Sequence, residues 1–317
     1  TTGLYFGGAI YGGDGGVTVL NSIFTNTTAG CGGAISTGEG SVNVVNSTFK
    51  DTTATGFYYG DGGGAIYTYT GSVTVSNSNF TNTIADNCDG GAIYSDIGSV
   101  NVINSAFTDT KAEMYGGAIY ASEGSVNVIN STFTDTTAEM HGGAIDSNSS
   151  AIVLNSKFTN CQAPTGSDIY STGLVVLQSN DYDSKTKYNS TEVVGNPIID
   201  LDGSFTEVQY RINTTPVNGV LNLPNKKYTA NENDTTLVVN KNITIDGNGA
   251  ILDADNLFRI MNITDGITVT IKNITFLNGN SSTECGAIRV FGENGTVTIL
   301  NSAFINTTAR DWGGALG

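Results

Sequence analysis

Basic residues are scarce in this chain. There are 13 Lys and Arg against 29 Asp and Glu in 317 residues, for a net charge of −16. A nucleic-acid backbone or an anionic membrane surface would be repelled, which excludes both as partners. No apolar run approaches the roughly 20 residues of a membrane-spanning helix, so no membrane insertion is expected. The first residues, Thr1-Thr2-Gly3, carry no signal peptide, and an exported protein would have lost its leader. Cysteine is also sparse, with 4 residues and no CxxC pair, which removes a structural zinc site. The single histidine, His141, lies in a segment of variable length. The first 200 or so residues contain no apolar stripe of helical period.

What the chain has instead is a repeat. Gly7-Gly8-Ala9-Ile10 returns as the same four residues at 32, 63, 90, 116 and 142, spaced by 25, 31, 27, 26 and 26. Variants follow at Cys285-Gly286-Ala287-Ile288 and Gly313-Gly314-Ala315-Leu316. Each unit continues into a V-x-V-x-N-S-x-F run, so that Asn21, Asn46, Asn77, Asn104, Asn130, Asn155, Asn273 and Asn301 form one column. Phe24, Phe49, Phe80, Phe107, Phe133, Phe158, Phe276 and Phe304 form another. A period of this length means that a unit buries its apolar face only against its neighbours. Val42-Asn43-Val44-Val45 and Val100-Asn101-Val102-Ile103 are short, β-branched and alternating, which reads as strand.

Three short strands and three turns per unit make one coil of an all-β, right-handed parallel β-helix solenoid, with coils about 4.8 Å apart. Phe then stacks on Phe and Ile on Ile inside the tube. The Asn column suits a ladder of side-chain amides, and the Gly pair a bend that needs positive φ or close approach of coils. These residues build the rod and carry no chemistry. Cys31 and Cys88 fall two coils apart, about 10 Å, beyond the roughly 7 Å limit for a disulfide. Cys161 sits on a different edge and Cys285 in another domain, so free, mostly buried thiols are expected.

The repeat fades after Leu174 to Leu177. Residues 1 to 180 read as a first β-helix without an N-terminal cap, and 181 to 202 as a polar C-terminal cap and linker. Residues 203 to 317 read as a capping helix and the first coils of a second β-helix that stops mid-coil. The helix signal is Ser204-Phe205-Thr206-Glu207, a capping box, followed on one face by Val208 and Ile212.

The runs Val239-Asn240-Lys241-Asn242-Ile243-Thr244-Ile245-Asp246-Gly247-Asn248-Gly249-Ala250 and Thr270-Ile271-Lys272-Asn273-Ile274-Thr275-Phe276, together with the GGAI coils of 1 to 160, resemble the adhesin-like surface proteins of methanogenic archaea. That resemblance covers nearly the whole chain. It implies an exported archaeal β-helix that displays a surface for attachment, and it brings no catalytic residues with it. A weaker likeness, to the polymorphic outer-membrane proteins of chlamydiae, departs from their FxxN tetrapeptide, because here Asn or Asp follows Phe by two, as in Phe24-Thr25-Asn26.

Candidate binding residues lie where coil length varies, between Phe and the next GGAI. Phe57, Tyr58 and Tyr59 occupy the longest such loop, and Tyr115 and His141 follow on the same edge. Exposed aromatic rings stack on sugars and anchor interfaces, so cell-surface glycans or proteins are the expected partners. Asp109 and Asp135 share a column in adjacent coils, and stacked carboxylates can recruit a cation such as calcium. No other cofactor is indicated. Of the 14 Asn-x-Ser/Thr sequons, Asn189, Asn213, Asn233, Asn280 and Asn294 read as loop positions able to carry glycans.

Both ends of the chain read as open coils, with Phe6, Ile10, Trp312 and Leu316 as the apolar residues left for assembly. Either the chain is a piece of a longer protein, or copies join head-to-tail into a filamentous homo-polymer. An extracellular structural and adhesive protein follows. The alternatives are a carbohydrate-active β-helix of the polysaccharide lyase or hydrolase type and a passive stalk. A lyase lacks its base: only Lys50 and Lys111 serve residues 1 to 150, in different coils, so no enzyme is expected.

Overall fold

The computed structural model describes residues 1 to 56, 62 to 183, 191 to 292 and 294 to 317. It comprises two compact units, Thr1–Ile198 and Ile199–Gly317. Regular structure is nearly all parallel strand, stacked as β-solenoid. The one helix among the described residues is Phe205–Thr214.

Three sheets run the length of the first unit. An isoleucine face stacks eight strands, from Ile10–Tyr11 through Ile35–Thr37 and Ile66–Thr68 to Val193–Val194. A valine face stacks eight more, from Val17–Leu20 to Ile198–Asp200. A phenylalanine face runs from Ile23–Ala29 to Lys157–Thr159. Like pairs with like in the register: Ile66 with Ile93, Val75 with Val102, Phe49 with Phe80. In Val42–Val45 the side chains of Val42 and Val44 point inward and Asn43 points out, the two-residue alternation of a half-buried strand. The six phenylalanines from Phe24 to Phe158 stack with ring centroids 4.7 to 5.0 Å apart and planes within 7° of parallel.

Both roles foreseen for the glycine pair are filled, one by each glycine. The first has φ between 55° and 74° from Gly7 to Gly142. The second lets coils touch: a Cβ on Gly64 would overlap the carbonyl oxygen of Gly91.

The asparagine column forms the expected amide ladder in part and also turns a corner of the coil. Its residues from Asn21 to Asn155 hold φ of 49° to 50°, and so turn the corner in the left-handed region that Asn tolerates better than most residues. Amide bonds join Asn46 to Asn21 at 2.7 Å and Asn104 to Asn77 at 3.3 Å. The continuous ladder belongs to the next residue, serine. Each Oγ donates to the carbonyl two residues back, as Ser105 does to Ile103 at 2.9 Å. Each also accepts the backbone N–H of the preceding coil's serine, from Ser22 on Ser47 through to Ser131 on Ser156, at 3.0 to 3.2 Å. The main-chain turn leaves one buried N–H per coil, and serine supplies its acceptor.

Residues 181 to 202 hold more regular structure than a polar linker. Val193–Val194 pairs in parallel with Ile169 and Tyr170, and Ile198–Asp200 extends the valine face. Two β-branched pairs add one strand to each of two faces. No disulfide joins any of the four cysteines, and Cys31, Cys88 and Cys285 are buried.

The second unit stacks Val220–Asn222, Ile243–Asp253, Thr268–Leu277 and Thr296–Leu300 in one sheet, and Leu237–Val239, Met261–Ile263 and Ile288–Val290 in another. Phe205, Val208 and Ile212 of the helix enter its core beside Leu221, Leu237 and Leu252. The serine half of the capping box forms as the sequence implies, whereas Glu207 reaches one residue further back, to Gly203, and the Ser204 N–H bonds Asp202 at 2.9 Å. Ser204 Oγ accepts the N–H of Glu207 at 3.3 Å, and Glu207 Oε2 accepts that of Gly203 at 2.8 Å.

Candidate binding edge

Two columns of side chains meet on the outside of the isoleucine face. One is the residue before the glycine pair: Phe6, Cys31, Gly62, Asp89, Tyr115, His141 and Thr165. The other is the residue after the isoleucine: Tyr11, Ser36, Tyr67, Tyr94, Tyr120, Asp146 and Tyr170. The positive-φ glycine folds the chain back, so the two positions touch within a coil. Phe6 and Tyr11 stack at 5.4 Å, Tyr115 and Tyr120 lie 5.5 Å apart, and His141 Nδ1 is 3.0 Å from Asp146 Oδ2. Strand alternation points the second column outward, yet Tyr67, Tyr94 and Tyr120 are only 5 to 6% exposed, because the incoming segments cover them.

The seam is aromatic along the axis as well. Tyr94 stacks on Tyr120 at 5.2 Å, and His141 lies between Tyr115 at 4.6 Å and Tyr170 at 4.2 Å. The rings of Tyr115, His141 and Tyr170 remain partly exposed, forming a strip on three successive coils.

Two carboxyl groups are buried in this seam. Asp146 has no exposed surface, and its Oδ1 has no hydrogen-bond partner. Burial pushes its pKa up to about 6, against the pull of the bond and charge of His141. Asp89, 3% exposed, accepts the Tyr115 N–H at 3.1 Å, and burial pushes it up to about 7. The Tyr94 hydroxyl donates to Asp96 at 3.0 Å, and Asn148 donates to the Tyr120 hydroxyl at 3.0 Å. Burial raises both phenols, Tyr120 to about 12.

No family model and no curated protein matches this sequence. Among solved structures, the chain is similar to the surface protein and adhesin PfbA of Streptococcus pneumoniae, at 13% identity over 98% of this chain and 92% of that one, with a TM-score of 0.26.

Of the residues that the sequence singled out for binding, the structure brings Tyr115 and His141 together. Phe57, Tyr58 and Tyr59 lie outside the described residues, as does Asn189. Asp146, Asp89, Tyr120 and Tyr170 were not singled out. A signal for Asp146 existed: GGAI is followed by Tyr in most coils and by Asp here.

Asp109 and Asp135 are exposed and occupy left-handed corners with φ of 52° and 54°, and Asp135 Oδ1 accepts the amide of Asn160 at 2.6 Å. No group of three or more His, Cys, Asp or Glu able to hold a metal ion occurs among the described residues. Glu113 and Glu139 take different partners, the Asn87 N–H and Lys111, the latter at 3.7 Å. That contact places Lys111 beside a carboxylate of another loop.

Cys161 and Asp168 stand at the end of the buried Thr and Ala columns. Burial pushes the thiol up to about 12 and the carboxyl up to about 7, which leaves the sulfur a poor nucleophile.

The glycan positions divide. Asn233 and Asn294 are exposed outside regular structure. Asn213, expected in a loop, lies in the last turn of the helix and accepts from Gln209 at 2.9 Å. Asn280, also expected in a loop, lies in the strand Asn280–Ser281, and its amide donates to the Asn256 carbonyl at 3.1 Å. Phe6, Trp312 and Leu316 are 45%, 75% and 46% exposed, whereas Ile10 packs against the core.

Proposed function

We propose that this chain is an extracellular structural and adhesive protein whose coils hold a binding strip on the edge where loop length varies. The observation that carries this reading is the Tyr115–His141–Tyr170 stack. Its rings are fixed at 4.6 and 4.2 Å by the coil register and keep part of their surface open to solvent. Aromatic groups held rigid in this way lose little entropy on binding, which is what makes them effective anchors for a sugar face or a protein surface. The sparse basic residues and the net charge of −16 disfavour anionic partners.

The test is binding of the chain to a glycan array and to intact cells, compared with Tyr115→Ala and His141→Ala. Loss of an anchor residue is expected to weaken binding roughly tenfold to thirtyfold, as for an interface hot spot. Retained binding in both variants, with the circular dichroism of the parent, would move the site elsewhere. Absence of any binding by the parent would leave a passive stalk.

A further inference from the structure

We infer that the seam between the loop edge and the isoleucine face is a pH-sensitive clasp, closed in acid and released as the pH rises through neutrality. Its basis is a mismatch of charge within a water-poor layer. Asp146 is fully buried, and one of its carboxyl oxygens has no partner. Asp89 is 3% exposed and receives one backbone N–H, from Tyr115. A buried carboxylate costs several kcal/mol unless it is paired and hydrogen-bonded on both oxygens, whereas a neutral carboxyl group costs far less.

Among the described residues, the groups that face these two acids come from both columns of the seam. The incoming segments contribute Tyr115 and His141, and the isoleucine strands contribute Tyr94, Tyr120 and Tyr170, with Asp96 beyond Tyr94. Asp96 and the phenols add no positive charge. The basic group acting on Asp146 is the His141 imidazole, bonded through Nδ1 and 30% exposed. Lys111 is turned to Glu139 and 45% exposed.

In acid both carboxyl groups are neutral, and the layer closes. As protons leave, Asp89 and Asp146 acquire charge that the seam cannot solvate. The cheapest relief is local. The segments bearing Asp89, Tyr115 and His141 lift from the Tyr94–Tyr120 column and admit water, while the coil interior stays intact. Rings that are covered in acid then face solvent. This clasp stands whether or not the strip binds a partner.

Hydrogen exchange of the full chain, read by mass spectrometry at about pH 5 and about pH 8 and corrected for the intrinsic rate, tests it. Peptides spanning 86 to 96, 113 to 123 and 139 to 148 are expected to lose protection about tenfold at the higher pH. Peptides from the phenylalanine face should not change. The double variant Asp89→Asn, Asp146→Asn should abolish the difference. Equal protection at both pH values in the parent overturns the clasp without reference to any variant. A folded double variant that keeps the pH dependence overturns it as well.

Discussion

At the scale of single residues, two polar columns that look alike in sequence behave in opposite ways. The serines of the ladder give and receive hydrogen bonds, whereas Thr27, Thr52, Thr83 and Thr110 bury hydroxyls that have no hydrogen-bond partner among the described residues. Ser105→Ala removes the acceptor of the Ser78 N–H, leaving a buried donor unmet. A loss of about 1 to 3 kcal/mol in urea unfolding is expected. Thr83→Val removes an unpartnered hydroxyl from a site with no exposure and keeps the branched shape. A gain of about 1 kcal/mol is expected by the same measurement. A destabilised Thr83→Val would mean that the hydroxyl is satisfied by internal water.

The capping helix shows what an element needs beyond its own sequence. Glu207 has no exposed surface, and its carboxylate accepts from Gly203 N–H, Arg211 Nε and Lys226 Nζ, each at 2.8 Å. Asp234, from a turn 28 residues on, accepts from Thr206 N–H at 2.8 Å and from its hydroxyl at 2.6 Å. The box S-x-x-E was legible; Lys226 and Asp234 were not, because they reach the helix only through the coil. Glu207→Ala should cost about 3 kcal/mol, since Arg211 and Lys226 lose a buried counter-charge. Unfolding of the helix followed by hydrogen exchange in residues 205 to 214 checks it, with protection equal to that of the parent as the contrary result.

Taken as whole molecules, the two units should answer pH in opposite senses. In the first, burial raises Asp89 and Asp168 to about 7 and Asp146 to about 6. Its folded state therefore holds more protons than the unfolded chain between an ordinary carboxyl pKa of about 4 and neutrality, and stability falls as pH rises across that window. In the second, a hydrogen bond from Asn273, with Lys272 beside it, lowers Asp246 to about 2. That contribution is present above an ordinary carboxyl pKa and is lost as pH falls towards about 2. Thermal unfolding resolved by hydrogen exchange from about pH 3 to about pH 8 should show the first unit losing stability on the alkaline side and the second on the acid side. A parallel response of both units would refute the assignment.

The sequence by itself determined the solenoid, because a repeat in which Phe, Ile and Val recur at fixed offsets can bury those side chains only by stacking like on like. It also determined the helix boundary, since capping chemistry is local. It pointed to Tyr115 and His141, through the variable length of the segments they end. Only the tertiary structure decided that serine carries the continuous ladder, that residues 193 to 200 add strands to two faces, and that Asp89 and Asp146 are shut beneath aromatic rings. Those facts depend on which side chains a folded corner brings within hydrogen-bond reach and which it seals from water. Neither quantity is set by spacing along the chain, because each partner lies a whole coil away or five residues back across a turn.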